Sequence, residues 1–426
     1  MTTSRKPVLL LSPETIDPVP EPEGLARRIN LPLLIFYGLG TILGAGIYVL
    51  VGKVAGSAGM LAPLAFIVAG VIAWLTAMSY SKLAVLFPQS AGEAIYIEHG
   101  FQQQWLSMAV GLLIILTGIV SAATLTRGFI GYFVLLVPVN ETFAMVAALV
   151  LLTALAAWGI AESLTMAALV TLIEIAGLVI VLVFCGDSLQ QLPVKAPDLL
   201  IPSSAAQVAG ILSGAFLAFY AFIGFEDMVN VVEEVKQPET TMPKAIFWVV
   251  VISTGLYVLI ALVATLSLPL NELAQSKAPL AELLSSKNAV AAKVVAVISV
   301  LAIVNGVLIQ IIMASRVCYG LSKRFGGPHY LHRVSSITKT PVIATLLIAA
   351  LILVAALSFP LTALAKFTSF IILIIFSLIN FALWKMHRNH YQAIDPVAVQ
   401  QISRLRSYPL LAGSLCLALL LFQVSY

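Results

Sequence analysis

The sequence predicts an all-α polytopic membrane protein with about 11 transmembrane helices, built as a five-plus-five inverted repeat with discontinuous first and sixth helices. Three observations predict it. Of 426 residues, 61% are hydrophobic and only 10% charged, where soluble domains carry roughly 25% charged residues. The apolar residues form continuous runs rather than alternating ones, which suits lipid-exposed helices and not barrel strands. Two of those runs, the first and the sixth, are interrupted near their middle by glycines or carboxylates.

Residues 1–30 form a polar cytoplasmic tail holding Pro7, Pro13, Pro18, Pro20 and Pro22, not an export signal. The first span, 31–54, exceeds the roughly 20 residues that a crossing needs. Spans 60–86, 105–136, 143–160 and 165–186 follow it and complete a first repeat over 31–186. A polar loop, 187–206, leads to the sixth span at 207–232. Spans 244–268, 290–317, 341–358 and 361–385 complete a second repeat over 207–385. Residues 386–426 comprise a cytoplasmic loop and an extra helix, 407–425.

Lysine and arginine set the orientation. With the N-terminus inside, sixteen of them fall in cytoplasmic segments and five, Lys53, Lys195, Lys277, Lys287 and Lys293, in outer ones. The net charge of +4 gives no reason to expect a nucleic acid partner. Cys185, Cys318 and Cys416 fit neither a metal site nor a redox pair. No metal, no cofactor and no enzymatic nucleophile is expected, and no phosphate-binding G-x-x-x-x-G-K-[ST] loop is present.

The first interruption is Gly38-Leu39-Gly40-Thr41-Ile42-Leu43-Gly44-Ala45-Gly46, with four glycines at mid-membrane depth. Unsatisfied backbone in lipid costs several kcal/mol per group, so a break needs protein cover or a cavity. A packing seam of small residues is the alternative. The second interruption is Ile223-Gly224-Phe225-Glu226-Asp227. A carboxylate inside a span costs about 2.5–3.5 kcal/mol even on insertion scales and faces a cavity or a partner. Breaks in the first and sixth spans are the spacing of inverted repeats that meet at the midplane.

These and further segments resemble the amino acid–polyamine–organocation (APC) transporter superfamily. Gly40-Thr41-Ile42-Leu43-Gly44-Ala45-Gly46-Ile47-Tyr48 resembles its first-helix motif. Tyr80-Ser81-Lys82-Leu83 and Phe87-Pro88-Gln89-Ser90-Ala91-Gly92-Glu93 resemble the second-helix exit and the following loop. Gly224-Phe225-Glu226, then Glu233-Glu234-Val235-Lys236-Gln237-Pro238, is similar to the sixth-helix signature. Ser315-Arg316-Val317-Cys318-Tyr319-Gly320, Thr340-Pro341-Val342 and Asn380-Phe381-Ala382-Leu383 continue the match in order. Two departures stand out: Lys82 occupies a position where many relatives have Glu, and relatives commonly have twelve spans.

The resemblance implies a secondary active transporter of amino acids, of neutral or broad range, working by alternating access with proton coupling. The expected location is a bacterial inner membrane. It implies that Ile42, Ala45 and Gly46 line the first-helix side of the substrate site, and Phe219, Ala221, Phe222 and Ile223 the sixth. Gly44, Gly224 and Glu226 are candidates for pocket or gate. Glu174, deep in the fifth span, replaces a lysine common in relatives. It is the expected coupling group for a proton, with a neutral interhelical carboxyl or a sodium ligand as alternatives. A polyamine carrier is the alternative within transport, and a non-transporting amino acid sensor the alternative outside it. Oligomeric state is left open.

Overall fold

The computed structural model describes residues 27–44, 46–87, 92–159, 164–388 and 407–426. Among them the only regular structure is helical, apart from an isolated bridge between Ile29 and Val235. Among the described residues nine helical segments are long and apolar enough to cross a membrane, and Leu31–Leu43 and Val342–Ser358 are shorter apolar helices.

The first half runs α1 (Leu31–Leu43), α2 (Gly46–Ala58), α3 (Ala62–Leu86), α4 (Gly92–Phe101), α5 (Gln104–Leu136), α6 (Glu141–Trp158) and α7 (Leu164–Cys185). The connection holds a 3-10 turn and α8 (Leu192–Leu200). The second half runs α9 (Ala205–Ala218), two 3-10 segments (Phe219–Phe222 and Phe225–Glu234), α10 (Pro238–Ser267), α11 (Leu270–Gln275), α12 (Pro279–Ser285), α13 (Ala289–Arg324), α14 (Val342–Ser358) and α15 (Leu361–Arg388). The last helix is α16 (Tyr408–Ser425). Each half therefore opens on a helix that breaks, as the sequence pattern predicts.

Local chemistry sets several boundaries. Asn30 caps α1 by accepting from the Leu33 N–H at 3.0 Å, with Pro32 in the first turn. Asn140 does the same for α6, and Asn288 for α13. The seventh span begins at Pro238 rather than 244, because Pro238 starts the helix and Pro243 is accommodated inside it. The eighth runs on to Arg324, beyond its apolar stretch, where Lys323 and Arg324 suit the negative end of the helix dipole.

The 33-residue α5 and 36-residue α13 pack along each other at the centre. Each is about 50 Å long at 1.5 Å per residue, longer than the roughly 30 Å hydrocarbon core. Large apolar side chains stay exposed on α6 (Phe143, Val150, Leu151) and α14 (Leu346, Val354), a surface that lipid and not water solvates. At the end of the bundle that carries α4, the two broken helices are joined. The Ile29 N–H donates to the Glu234 carbonyl and the Lys236 N–H to the Ile29 carbonyl, both at 2.9 Å.

Candidate functional site

The first helix stops at Leu43 and restarts at Gly46. Such a break strands the last carbonyls of α1 and the first N–H groups of α2. In the sixth, the 3-10 turn after α9 ends at Phe222, Ile223 is extended, and Gly224 turns the chain at φ +129°. Only glycine adopts that conformation without strain.

The two breaks lie against each other. A Cβ on Gly46 would fall 2.5 Å from the Ala221 Cα, and one on Gly224 would fall 2.4 Å from the Thr41 carbonyl oxygen. Tyr257 on α10 bridges them: its hydroxyl lies 2.8 Å from the carbonyl oxygens of both Ile42 and Ala221. One hydroxyl proton serves one carbonyl at a time, so acceptor capacity remains at both helix ends. Glu226 caps the second break by accepting from the Gly224 N–H at 2.9 Å.

Between the breaks lies a cavity of about 40 Å³, several times the about 10–15 Å³ that one water needs. Gly40, Thr41, Ile42, Gly44 and Gly46 form one side, and Tyr220, Ile223 and Asp227 another. Ser121 and Leu125 on α5 and Gly306, Ile309 and Gln310 on α13 complete its lining.

Of the residues singled out in the sequence, Ile42, Gly44, Gly46 and Ile223 stand on this wall. Ala45 lies outside the described residues. Ala221 sits behind the wall against Gly46, and Gly224 against Thr41. Phe219 packs edge-on to Phe376 at 5.8 Å, and Phe222 on Tyr257 at 5.1 Å, both fully buried. Glu226 is occupied with its cap, and the neighbouring Asp227 lines the cavity. Glu174 on α7 is 1% exposed. Its Oε1 lies 3.8 Å from where a Gly44 Cβ would stand, and its carbonyl accepts from the Tyr48 hydroxyl at 2.5 Å. It therefore backs the first break and does not line the cavity.

Sequence reasoning missed Asp227, Tyr257, Ser121 and Gln310 as site residues. Asp227 and Gln310 carried a signal, since each is a polar residue inside an apolar run. Tyr257 and Ser121 carried none that separates them from ordinary helix packing. Lys82, which stands where many relatives have Glu, lies over the Tyr408 ring at 4.9 Å. Among the described residues no group of His, Cys, Asp and Glu has metal-binding geometry.

Outside the spans, Glu93 on α4 is partly buried. Burial, aided by the charge of Asp227, pushes it up to about 7 from the ordinary 4.5. Tyr80, Tyr96 and Glu226 share this region. A raised carboxyl favours the folded state while neutral, so its stabilisation is complete below about pH 4.5 and is lost as pH rises through about 7. The melting temperature is expected to fall across that window, and Glu93→Gln to flatten the fall. An unchanged slope in the variant would assign the pH dependence to another group.

The sequence profile of the amino acid permease family matches residues 29–425. An uncharacterised transporter of Mycobacterium bovis is 29% identical over 374 residues, 86% of this chain and 81% of that protein. The branched-chain amino acid permease BcaP of Bacillus subtilis is 27% identical over 383 residues, 84% of this chain and 81% of BcaP. The vacuolar cationic amino acid transporter 4 of Arabidopsis thaliana is 28% identical over 358 residues, 79% of this chain and 59% of the plant protein. Among solved structures, MhsT in complex with L-phenylalanine superposes with a TM-score of 0.66 at 13% identity, covering 94% of this chain and all of MhsT. That likeness is one of fold.

Proposed function

The chain belongs to the amino acid permease family, and on that premise we propose that it is a secondary active transporter that holds amino acids between its two helix breaks. The juxtaposition of the breaks around one cavity carries the reading. A zwitterion needs acceptors for its ammonium and donors for its carboxylate. The Ile42 carbonyl on the wall, with that of Ala221 just behind it, offers the first, and the N-terminal turn of α2 offers the second. Ile42, Gly46 and Ile223 then contact the substrate main chain, while Phe219, Ala221 and Phe222 fix the shape of the sixth-helix side.

Alternating access follows from movement of the broken helices against the α5–α13 scaffold. The bridge from Ile29 to Val235 makes α1 and the Phe225–Glu234 segment move together. The protein is an integral membrane protein; we place its N-terminus in the cytoplasm and the chain in a bacterial inner membrane.

Glu174 is the coupling group in this reading. Behind the first break, its protonation state acts on the same backbone that binds substrate. In proteoliposomes, labelled amino acid is expected to accumulate under an inward proton gradient. Glu174→Gln is expected to abolish gradient-driven accumulation while exchange of amino acid across the membrane persists. Full pH-driven uptake by the variant would move coupling to another group, and a sodium requirement would replace the proton. Ligand-induced stabilisation with no flux of any kind would make the protein a sensor. Asp227 on the cavity wall favours a second reading, a carrier of polyamines, and uptake of putrescine in preference to amino acids would establish it.

A further inference from the structure

Two polar groups on the cavity wall are left over once the breaks are accounted for. The other polar side chains there are already committed. The Ser121 and Tyr220 hydroxyls lie 3.1 Å apart in a hydrogen bond, and the Thr41 hydroxyl donates to the Gly38 carbonyl at 2.9 Å. Gln310 is different: its Oε1 is buried and has no hydrogen-bond partner among the described residues. Asp227 is different too. The ion pairs Lys277–Glu141, Lys287–Asp187 and Arg324–Glu98 lie elsewhere, and no Lys or Arg lines the cavity.

We infer that Asp227 and Gln310 select substrates whose side chains carry a hydrogen-bond donor, rejecting apolar isosteres. This rests on the reading of the cavity as the amino acid site. Both residues line the same space of about 40 Å³. The main-chain partners of a zwitterion come from the helix breaks, so Asp227 and Gln310 are left for its side chain. A hydroxyl, amide or ammonium fills their acceptor capacity. A methyl group of the same shape displaces water from them and leaves them unpaired, which is the costly case. Gly306, one turn before Gln310, also lines the cavity. Of the relatives' named substrates, this wall suits cationic side chains and opposes branched-chain ones.

The test is calorimetric titration of the purified full-length protein with two near-isosteric pairs, threonine against valine and lysine against 2-aminoheptanoic acid. The donor-bearing member of at least one pair is expected to bind about 10-fold to 100-fold more tightly, the range set by one orphaned buried acceptor. The threonine pair reports a neutral donor and the lysine pair a cationic one. Gln310→Leu and Asp227→Asn, each checked for a monodisperse folded peak, are expected to shrink that ratio while apolar binding persists or improves. Equal affinity within both pairs in the unmodified protein would overturn the inference and leave the amino acid site standing. No binding of any amino acid would remove the site reading and the inference with it.

Discussion

Gly224→Ala is expected to abolish uptake and to lower the melting temperature of the purified protein. Two independent costs combine there. The φ of +129° is a region that residues with a Cβ rarely adopt, worth about 1–3 kcal/mol of strain. The added methyl would also stand 2.4 Å from the Thr41 carbonyl oxygen and 2.6 Å from its carbon. Those are backbone atoms of the opposite break and cannot rotate away, and overpacking of this kind costs about 1–3 kcal/mol more. Folded proteins have only about 5–15 kcal/mol to lose. If the chain relieves the clash by parting the breaks, it loses the cavity instead of its stability. Gly255→Ala and Gly320→Ala are the controls, since nothing lies within 4 Å of a Cβ at either helical position. They are expected to be neutral or slightly stabilising, as Gly-to-Ala changes inside helices are. Normal uptake and melting by Gly224→Ala would mean that the two breaks do not meet.

Tyr257→Phe is the second change with a large expected effect. It keeps the ring, which packs on Phe66 and Phe222, and deletes only the hydroxyl. The buried carbonyls of Ile42 and Ala221 then share no donor, at a cost of about 1–3 kcal/mol. Because those carbonyls are the proposed ammonium site, the variant is expected to weaken amino acid affinity as well as stability. Tyr132→Phe separates the two effects. Its hydroxyl donates to the Tyr48 carbonyl at 2.6 Å and accepts from the Leu280 N–H at 3.3 Å, and it does not line the cavity. Lower melting with unchanged affinity is expected there. Equal behaviour of the two variants in both measurements would make Tyr257 a general brace and not part of the site.

The spans and their breaks were legible because both are local properties: a long apolar run and a cluster of glycines or carboxylates within it. The wall of the cavity was only half legible. Its α5 and α13 members come from unbroken helices, where Ser121 and Gly306 look like ordinary packing until the helices are placed side by side. The acidic pair after Gly224 shows a finer limit. Beyond Gly224 the sixth helix is 3-10 rather than α, so successive side chains are about 120° apart. Glu226 folds back to cap Gly224 while Asp227 reaches the cavity, and which does which depends on that local winding. The phenylalanines mislead for a related reason. Phe219 and Phe222 flank the break in sequence, yet their rings point into the packing on Phe376 and Tyr257. Short helices such as α11 and α12 leave no periodic trace long enough to read.

The central claim is that the space between the two breaks is where an amino acid binds. A structure of the full-length protein determined with the amino acid that stabilises it most tests this directly. Density for that amino acid is expected between the ends of α1 and α9, with its ammonium toward the Ile42 and Ala221 carbonyls and its side chain toward Asp227 and Gln310. A ligand seated elsewhere, for example in the groove that Lys277 and Lys293 line near α12, with the cavity between the breaks empty, would contradict it.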